Sequence, residues 1–151
     1  MKSETLLNKA TLTCPKDLEA VRHMMIGSIR KTSLSAIIDE VSGSIGGGKM
    51  LRARLSLKVG TATRTPRDTV LRVAAAAEMI HAASLLHDDV IDVGVLRRGV
   101  PSFWKKKSVS GAILLGDLMV CKAVQMLQES ANGRLGDMLI KLSGEMCDAE
   151  A

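Results

Sequence analysis

Residues 65–98 read TPRDTVLRVAAAAEMIHAASLLHDDVIDVGVLRR, and this stretch decides the fold. Thr65 and Pro66 are typical of a helix start, because threonine is a capping residue and proline is favoured at the first helical position. The alanines at 74–77 are strong helix formers, and neither glycine nor proline interrupts the stretch before the acidic residues. The sequence therefore predicts one long helix that runs from Thr65 to about Asp92.

The end of this helix carries three carboxylates, Asp88, Asp89 and Asp92. Asp88 and Asp92 are four residues apart and share one helix face, about 6 Å apart along the axis. Such close carboxylates repel each other unless a cation or a basic group neutralises them. Mg²⁺ suits them, because it takes one or two carboxylates and completes its shell with water and substrate phosphates. Arg97 and Arg98 follow and can bind the same phosphates, so the pattern predicts a diphosphate held between metal and arginine.

A glycine run at 46–52, GGGKMLR, predicts an anion site at the start of another helix. Backbone N–H groups there meet the positive end of the helix dipole, and Lys49 and Arg52 share a face of the first turn. On the long helix, His81 lies two turns below Asp88 on the same side, where it can donate to a diphosphate. Purely structural alternatives stay open: the glycine run can be an ordinary helix start, His81 a core residue, and the aspartates a solvated helix end.

Other polar positions carry weaker signals. His87 neighbours the acidic residues but is expected to point elsewhere, and it is assigned no chemistry. Glu145 and Asp148 are three residues apart on the last predicted helix and could face the same cleft. Asp117 is equally consistent with a buried carboxylate that accepts backbone hydrogen bonds.

The composition favours helices. Hydrophobic residues make up 46% of the 151 residues, but Phe103 and Trp104 are the only aromatic ones, and β-structure usually draws on aromatic residues. Residues 1–14 are interpreted as a polar lead-in and 15–151 as one domain. Apolar periodicity and end signals predict an all-α domain with a helix that begins at Pro15 and others at roughly 33–42, 49–60, 65–92, 108–130 and 134–151.

The formal net charge is +5. No basic helix stripe or aromatic stacking platform accompanies it, so we expect a positive cleft for phosphorylated small molecules and no nucleic-acid partner.

The three cysteines lack metal-ligand spacing and are expected to be reduced thiols. No signal-peptide core is visible, and Asp117 and Lys122 interrupt the longest apolar stretch. We therefore expect a cytoplasmic protein without a transmembrane segment.

Together these motifs resemble the trans-isoprenyl diphosphate synthase (polyprenyl synthetase) family, from about Leu18 to Ala151. The patterns GGGKxxR, HxxSLxHDDxxD and RRGxP stand in the order and approximate spacing of the family. The resemblance implies an antiparallel helix bundle of the isoprenoid synthase type that forms a homodimer or a higher oligomer. It also implies a prenyltransferase that condenses isopentenyl diphosphate with an allylic diphosphate to make a polyprenyl diphosphate.

The same resemblance implies roles for the residues around the acidic motif. Asp88 and Asp92 would ligate Mg²⁺, with Asp89 supporting them, and Arg97 would bind the allylic diphosphate. Asp88, Asp92 and Arg97 are thus the predicted catalytic residues. Their shared task is electrostatic, since the leaving diphosphate must be neutralised as an allylic cation develops.

A second group of residues is expected to bind the other substrate and the product tail. The diphosphate of isopentenyl diphosphate would be held by Lys49, Arg52, His81 and Arg98. Ala83 and Ser84 are small and lie below Asp88, so they are expected to leave room for a growing tail and a long-chain product. The alternative is that small residues here only permit close helix packing.

The family carries a second aspartate-rich motif further downstream, and this chain ends before it. The final five residues, CDAEA, contain no glycine or proline that would stop a helix. We therefore expect the N-terminal half of a synthase, truncated after about six helices and inactive alone. A non-catalytic small or regulatory subunit and a helical interaction module without diphosphate chemistry remain as rival interpretations.

Overall fold

The computed structural model describes residues 14–37, 48–97, 99–130 and 133–150, without the side chains of residues 97 and 150. Within these residues the chain forms six α-helices: α1 Pro15–Arg30, α2 Leu51–Ala62, α3 Arg67–Ile91, α4 Phe103–Lys106, α5 Val109–Gln128 and α6 Arg134–Glu150. A 3₁₀ helix at Ser33–Ile37 follows α1, and two short strands, β1 Leu96–Arg97 and β2 Val100–Pro101, lie between α3 and α4. The predicted all-α fold is confirmed.

The long central helix, α3, begins slightly later than its start signal suggests. Pro66 is the N-cap residue, with φ −52° and ψ 133°, and not the first helical residue. Thr65 does not cap the helix, because its hydroxyl forms a 2.7 Å hydrogen bond with the hydroxyl of Thr63. At the other end Asp92 is the C-cap residue, and Val93 takes a positive φ of 52° that turns the chain away from the helix.

Two further boundaries differ from expectation. Of the helix predicted at 33–42, the described residues Ser33–Ile37 form a 3₁₀ helix, and the remaining residues lie outside the described part of the chain. The helix α2 continues through Gly60, where a stop was predicted. Gly60 is buried against α3, and a Cβ there would overlap the side chain of Val70. The glycine is therefore required for close helix approach and does not end the helix.

The core forms around α3, which packs on α1, α2 and α5. Alanines allow the neighbouring helices to come close, because they add little side-chain volume between the backbones. Fully burying a large apolar side chain stabilises the fold by about 1.5–3 kcal/mol, so these contacts hold the helices together. The residues with no exposed surface include Val21, Met25, Ile29, Ala74, Ala75, Ala76, Met79, Leu115, Met119 and Ala123.

The structure also bears on the predicted redox state and location. All three cysteines are exposed and form no disulfide bond in the structure, and their reduced state stays a prediction. By length and composition alone, α3 and α5 are apolar enough to cross a membrane, and 50% and 33% of their most apolar windows are buried inside the fold. Core helices of soluble proteins pass the same test. The absence of a transmembrane segment and the cytoplasmic location therefore stay predictions.

Gly60 and Gly144 form a matched pair of helical glycines for testing this packing. Nothing lies within 4 Å of a Cβ at Gly144, whereas a Cβ at Gly60 meets Val70. Gly60→Ala should lower the free energy of unfolding by about 1–3 kcal/mol, because the added methyl overpacks the contact. Gly144→Ala should raise it by up to about 1 kcal/mol, because alanine is the better helix former. Urea unfolding followed by circular dichroism measures both, and equal effects would contradict a tight α2–α3 contact.

Candidate functional site

A cleft of about 340 Å³ lies beside the C-terminal end of α3, where this helix meets α5 and α6. Its lining follows one stripe of α3, because Ile80, Ser84 and Asp88 recur at intervals of four residues. Asp88 is the exposed, charged end of this stripe. The remaining lining residues are mostly apolar or small and comprise His87, Ile91, Val120, Ser143, Met146 and Cys147.

The three aspartates of the acidic motif have different surroundings. Asp88 and Asp92 are exposed, whereas Asp89 is only 8% exposed. A Cβ at Gly94 would lie 3.4 Å from Oδ1 of Asp89, so this carboxylate points toward the loop that follows α3. The N–H of Gly94 also donates to the backbone carbonyl of Asp89 at 2.9 Å. Asp88 and Asp92 can thus face a ligand, while Asp89 packs beneath the loop.

The exposed pair fits a divalent cation that a substrate completes. In the part of the chain that the structure describes, no group of three His, Cys, Asp or Glu side chains converges on a metal site. Mg²⁺ does not require such a cage, because it takes one or two carboxylates together with waters and phosphate oxygens. Asp88 and Asp92 would hold the cation, and a phosphorylated ligand would supply the remaining oxygens.

The loop after α3 is anchored before it reaches the two arginines. The carbonyl of Gly94 accepts hydrogen bonds from the Ser102 hydroxyl at 2.6 Å and from the Trp104 indole N–H at 2.9 Å. The backbone of Arg97 lies in β1, which pairs with β2 in an antiparallel hairpin. The side chain of Arg97 and all of Arg98 lie outside the described residues. Their binding roles therefore remain predictions.

The predicted anion site lies at the start of α2, next to α3. Lys49 and Arg52 are both exposed there, but Lys49 precedes the N-cap residue Met50, so the two do not share the first turn as predicted. Residues 46 and 47 of the predicted site lie outside the described part of the chain. The backbone N–H of Ala53 donates to Oε1 of Glu78 on α3 at 3.0 Å, and this bond is buried. Glu78 precedes His81 by three residues, so the two side chains lie near each other on one face of α3. The structure thus attaches the first turn of α2, which contains Arg52 and follows Lys49, to α3 one turn below His81.

The two predicted chain-length residues occupy different environments. Ser84 lines the cleft, and its hydroxyl donates to the carbonyl of His81 at 3.0 Å. Ala83 is 1% exposed and belongs to the hydrophobic core. Ser84 is therefore the one that faces the cleft, one helical turn below Asp88. The role of both residues in product length stays a prediction.

His87 lines the cleft as well, which corrects the expectation that it points elsewhere. Its Nε2 atom lies 3.3 Å from the carbonyl oxygen of Ile113 and 3.4 Å from Oδ1 of Asp117. A Cβ at Gly116 would overlap the imidazole ring, so the glycine makes room for it. Asp117 is exposed and not a buried acceptor. The adjacent Gly116 and Asp117 were the sequence signal for this contact.

On α6 the acidic candidates do not line the cleft. Glu145 and Asp148 are exposed, and the cleft is lined by Ser143, Met146 and Cys147. Spacing of three residues placed the two acids on one face correctly, but the packing of α6 turns a different face toward α3.

Relatives of this chain are named as prenyl diphosphate synthases. Geranylfarnesyl diphosphate synthase from Methanosarcina mazei is 36% identical over 99 residues, which are 66% of this chain and 33% of the relative. Heptaprenyl diphosphate synthase component 2 from Geobacillus stearothermophilus is 36% identical over 104 residues, or 69% and 32% of the two chains. A probable farnesyl diphosphate synthase from Bradyrhizobium diazoefficiens is 41% identical over 108 residues, or 70% and 32%. The chain spans about a third of the length of these relatives.

Solved structures agree with the fold. Polyprenyl synthase from Caulobacter crescentus, solved with calcium and isoprenyl diphosphate, has a TM-score of 0.77 and 28% identity over 89% of this chain and 41% of its own. A geranyltransferase from Legionella pneumophila has a TM-score of 0.65 and 29% identity over 82% of this chain and 43% of its own. These likenesses confirm the isoprenoid synthase type of helix bundle. The polyprenyl synthetase family itself matches residues 32–151, and the chain therefore belongs to this family.

Proposed function

We propose that this chain is the N-terminal, diphosphate-binding part of a prenyltransferase that condenses isopentenyl diphosphate with an allylic diphosphate. The observation that carries this proposal is the exposed carboxylate of Asp88 in a cleft with a mostly apolar lining, with the exposed Asp92 following at the end of the same helix. A prenyl diphosphate needs both environments, a charged one for its head and an apolar one for its tail. The names of the relatives support the same reaction class.

The first diphosphate would bind at the end of α3. Condensation requires the bond between the allylic carbon and the diphosphate to break, so negative charge grows on the leaving group and must be stabilised. A bound Mg²⁺ ion would supply part of the neutralising positive charge. Asp88 and Asp92 hold the cation in this proposal, Asp89 supports them from beneath the loop, and Arg97 binds the diphosphate.

The second diphosphate, that of isopentenyl diphosphate, would bind between α2 and α3. Lys49 and Arg52 provide two exposed positive charges, and His81 provides a hydrogen-bond donor. Arg98 would add a third positive charge in this proposal. The two diphosphates then bind along the same helix, with His81 about two turns before Asp88. No protein nucleophile is required, because the double bond of isopentenyl diphosphate supplies the electron pair for the new carbon–carbon bond as the allylic diphosphate departs. A proton is then lost, and the departed diphosphate is a base that can accept it.

A non-catalytic subunit is the second candidate, and the exposed apolar side chains of α6 are consistent with it as well as with a synthase. About half of the surface of several large apolar residues is accessible, namely Met138, Ile140, Leu142 and Met146. Such a surface is typical of an interface.

We propose a cytoplasmic protein that associates with a second copy or with further synthase sequence, and that is inactive as the 151-residue chain. A synthase and a subunit are distinguished by whether restoring the remaining synthase sequence to this chain produces turnover.

Binding of cation and diphosphate to the chain should be mutually dependent, because each neutralises the charge of the other. Trp104 is the only tryptophan and donates to the loop carbonyl of Gly94, so its fluorescence reports on this loop. Mg²⁺ or pyrophosphate alone should change the emission little, whereas both together should change it saturably. Asp88→Asn should abolish the joint effect, and the exposed control Asp137→Asn should keep it. An unchanged joint effect in Asp88→Asn would contradict the metal assignment.

Turnover should depend strongly on Asp88 in a full-length synthase that contains this chain. Asp88→Ala should lower it by roughly 10²-fold or more, on the scale of losing one preorganised electrostatic contact. Incorporation of labelled isopentenyl diphosphate into prenyl product measures the effect, with Asp137→Ala as the control on an exposed carboxylate. Near-normal turnover of Asp88→Ala would remove this residue from the site.

Product length should depend on Ser84. We propose a long-chain product whose tail follows the cleft past this residue, so that Ser84→Phe should fill the path one turn below Asp88 and shorten the products. Ser110→Phe on exposed surface is the matched control and should leave the distribution unchanged. Ala83→Phe should mainly destabilise the protein, by about 1–3 kcal/mol, because it overpacks the core. Chromatography of the products decides, and an unshifted distribution in Ser84→Phe would overturn the proposed tail path.

A further inference from the structure

Glu78 is a buried acidic residue in the middle of α3 to which the proposed reaction assigns no role. It is 8% exposed and is surrounded in sequence by the alanines and Met79 of the core. Burying a carboxyl group is unfavourable unless it is hydrogen-bonded. Its Oε1 atom accepts the N–H of Ala53 at 3.0 Å. This position therefore provides a hydrogen-bond acceptor for the Ala53 N–H of α2, which an apolar side chain of the same size would not do.

The bond closes an otherwise open helix end. Ala53 is the third residue of α2, within the first turn whose N–H groups have no partner inside the helix. The N-cap residue Met50 adopts a left-handed conformation with φ 45° and makes no side-chain capping bond. Glu78 supplies the missing acceptor from the neighbouring helix, and its negative charge meets the positive end of the α2 dipole.

The start of α2 has one large apolar anchor, the N-cap residue Met50, which is 5% exposed and belongs to the hydrophobic core. The helix buries Ala53, Leu57 and Gly60, of which only Leu57 is large. Leu51 and Leu55 are more than 60% exposed and add little apolar contact. Beside the burial of Met50, the bond to Glu78 is a buried polar connection between the first turn of α2 and α3. It acts at the residue directly after Arg52 and one turn below His81.

We propose that Glu78 is a positioning residue, which holds Lys49 and Arg52 beside His81 so that the three side chains converge on the diphosphate of isopentenyl diphosphate. This inference rests on the proposed function. Glu78 touches no substrate and acts only through the backbone of Ala53. Its removal should displace the α2 cations while leaving Asp88 and Asp92, at the far end of the helix, in place.

The test compares substitutions of Glu78 in a full-length synthase that contains this chain. Glu78→Leu has similar size but no acceptor, and it should raise KM for isopentenyl diphosphate about tenfold, the loss expected for one hydrogen bond in a buried setting. KM for the allylic diphosphate should stay near its original value. Glu78→Gln keeps an acceptor oxygen and should restore KM for isopentenyl diphosphate. Hydrogen exchange at the Ala53 amide should be faster in Glu78→Leu and close to the original in Glu78→Gln.

A control separates positioning from general loss of stability. Ala112→Gly weakens α5 at a buried position and should lower stability without a selective change in either KM. If Glu78→Leu does not fold, Glu78→Asp, which is shorter by one methylene, carries the same comparison. An unchanged KM for isopentenyl diphosphate, an equal rise in both KM values, or a Glu78→Gln variant as impaired as Glu78→Leu would each overturn the inference. An unsubstituted full-length protein that does not condense the two substrates would instead overturn the proposed function.

Discussion

The close packing of α3 against its neighbours is the constraint on which the rest of the structure depends. Its run of small side chains at 74–76 is fully buried, so α1, α2 and α5 can approach the same helix. Where α2 meets α3, the absence of a side chain at Gly60 leaves room for Val70 and lets the two helices approach closely. Because one helix contacts all of these partners, its ends and faces set the positions of the acidic motif, the cleft and the start of α2.

Carboxylates on this single helix serve two different purposes, and burial separates them. Glu78 and Asp89 are buried and contribute to the fold, the first by capping α2 and the second by packing against the loop at Gly94. Asp88 and Asp92 are exposed and available to a cation. The buried acids therefore fix the positions of α2 and of the loop after α3, and these elements surround the exposed acids that are proposed to bind the cation.

Much of the fold could be predicted because apolar periodicity depends only on which residues recur on one helix face. The long helices α1, α3, α5 and α6 follow it. Prediction failed where the meaning of a residue depends on its neighbours in space. From the sequence alone Gly60 resembles a helix end, because only the position of α3 shows that the glycine is needed for close packing. The 3₁₀ helix after α1 and the two-residue strands are too short to produce a periodic pattern.

The sequence by itself determined which chemical groups are present and in what order: an acidic cluster at a helix end, two following arginines, and a lysine and an arginine after glycines. Tertiary structure decided which of them face the cleft. Successive residues on a helix point about 100° apart, so neighbours in sequence face different surroundings. Asp88 and Ser84 line the cleft, whereas Asp89 and Ala83 are buried. Only the packing of α5 on α3, and of α6 on α5, determines which of these directions faces the cleft, and this packing places His87 in the cleft lining.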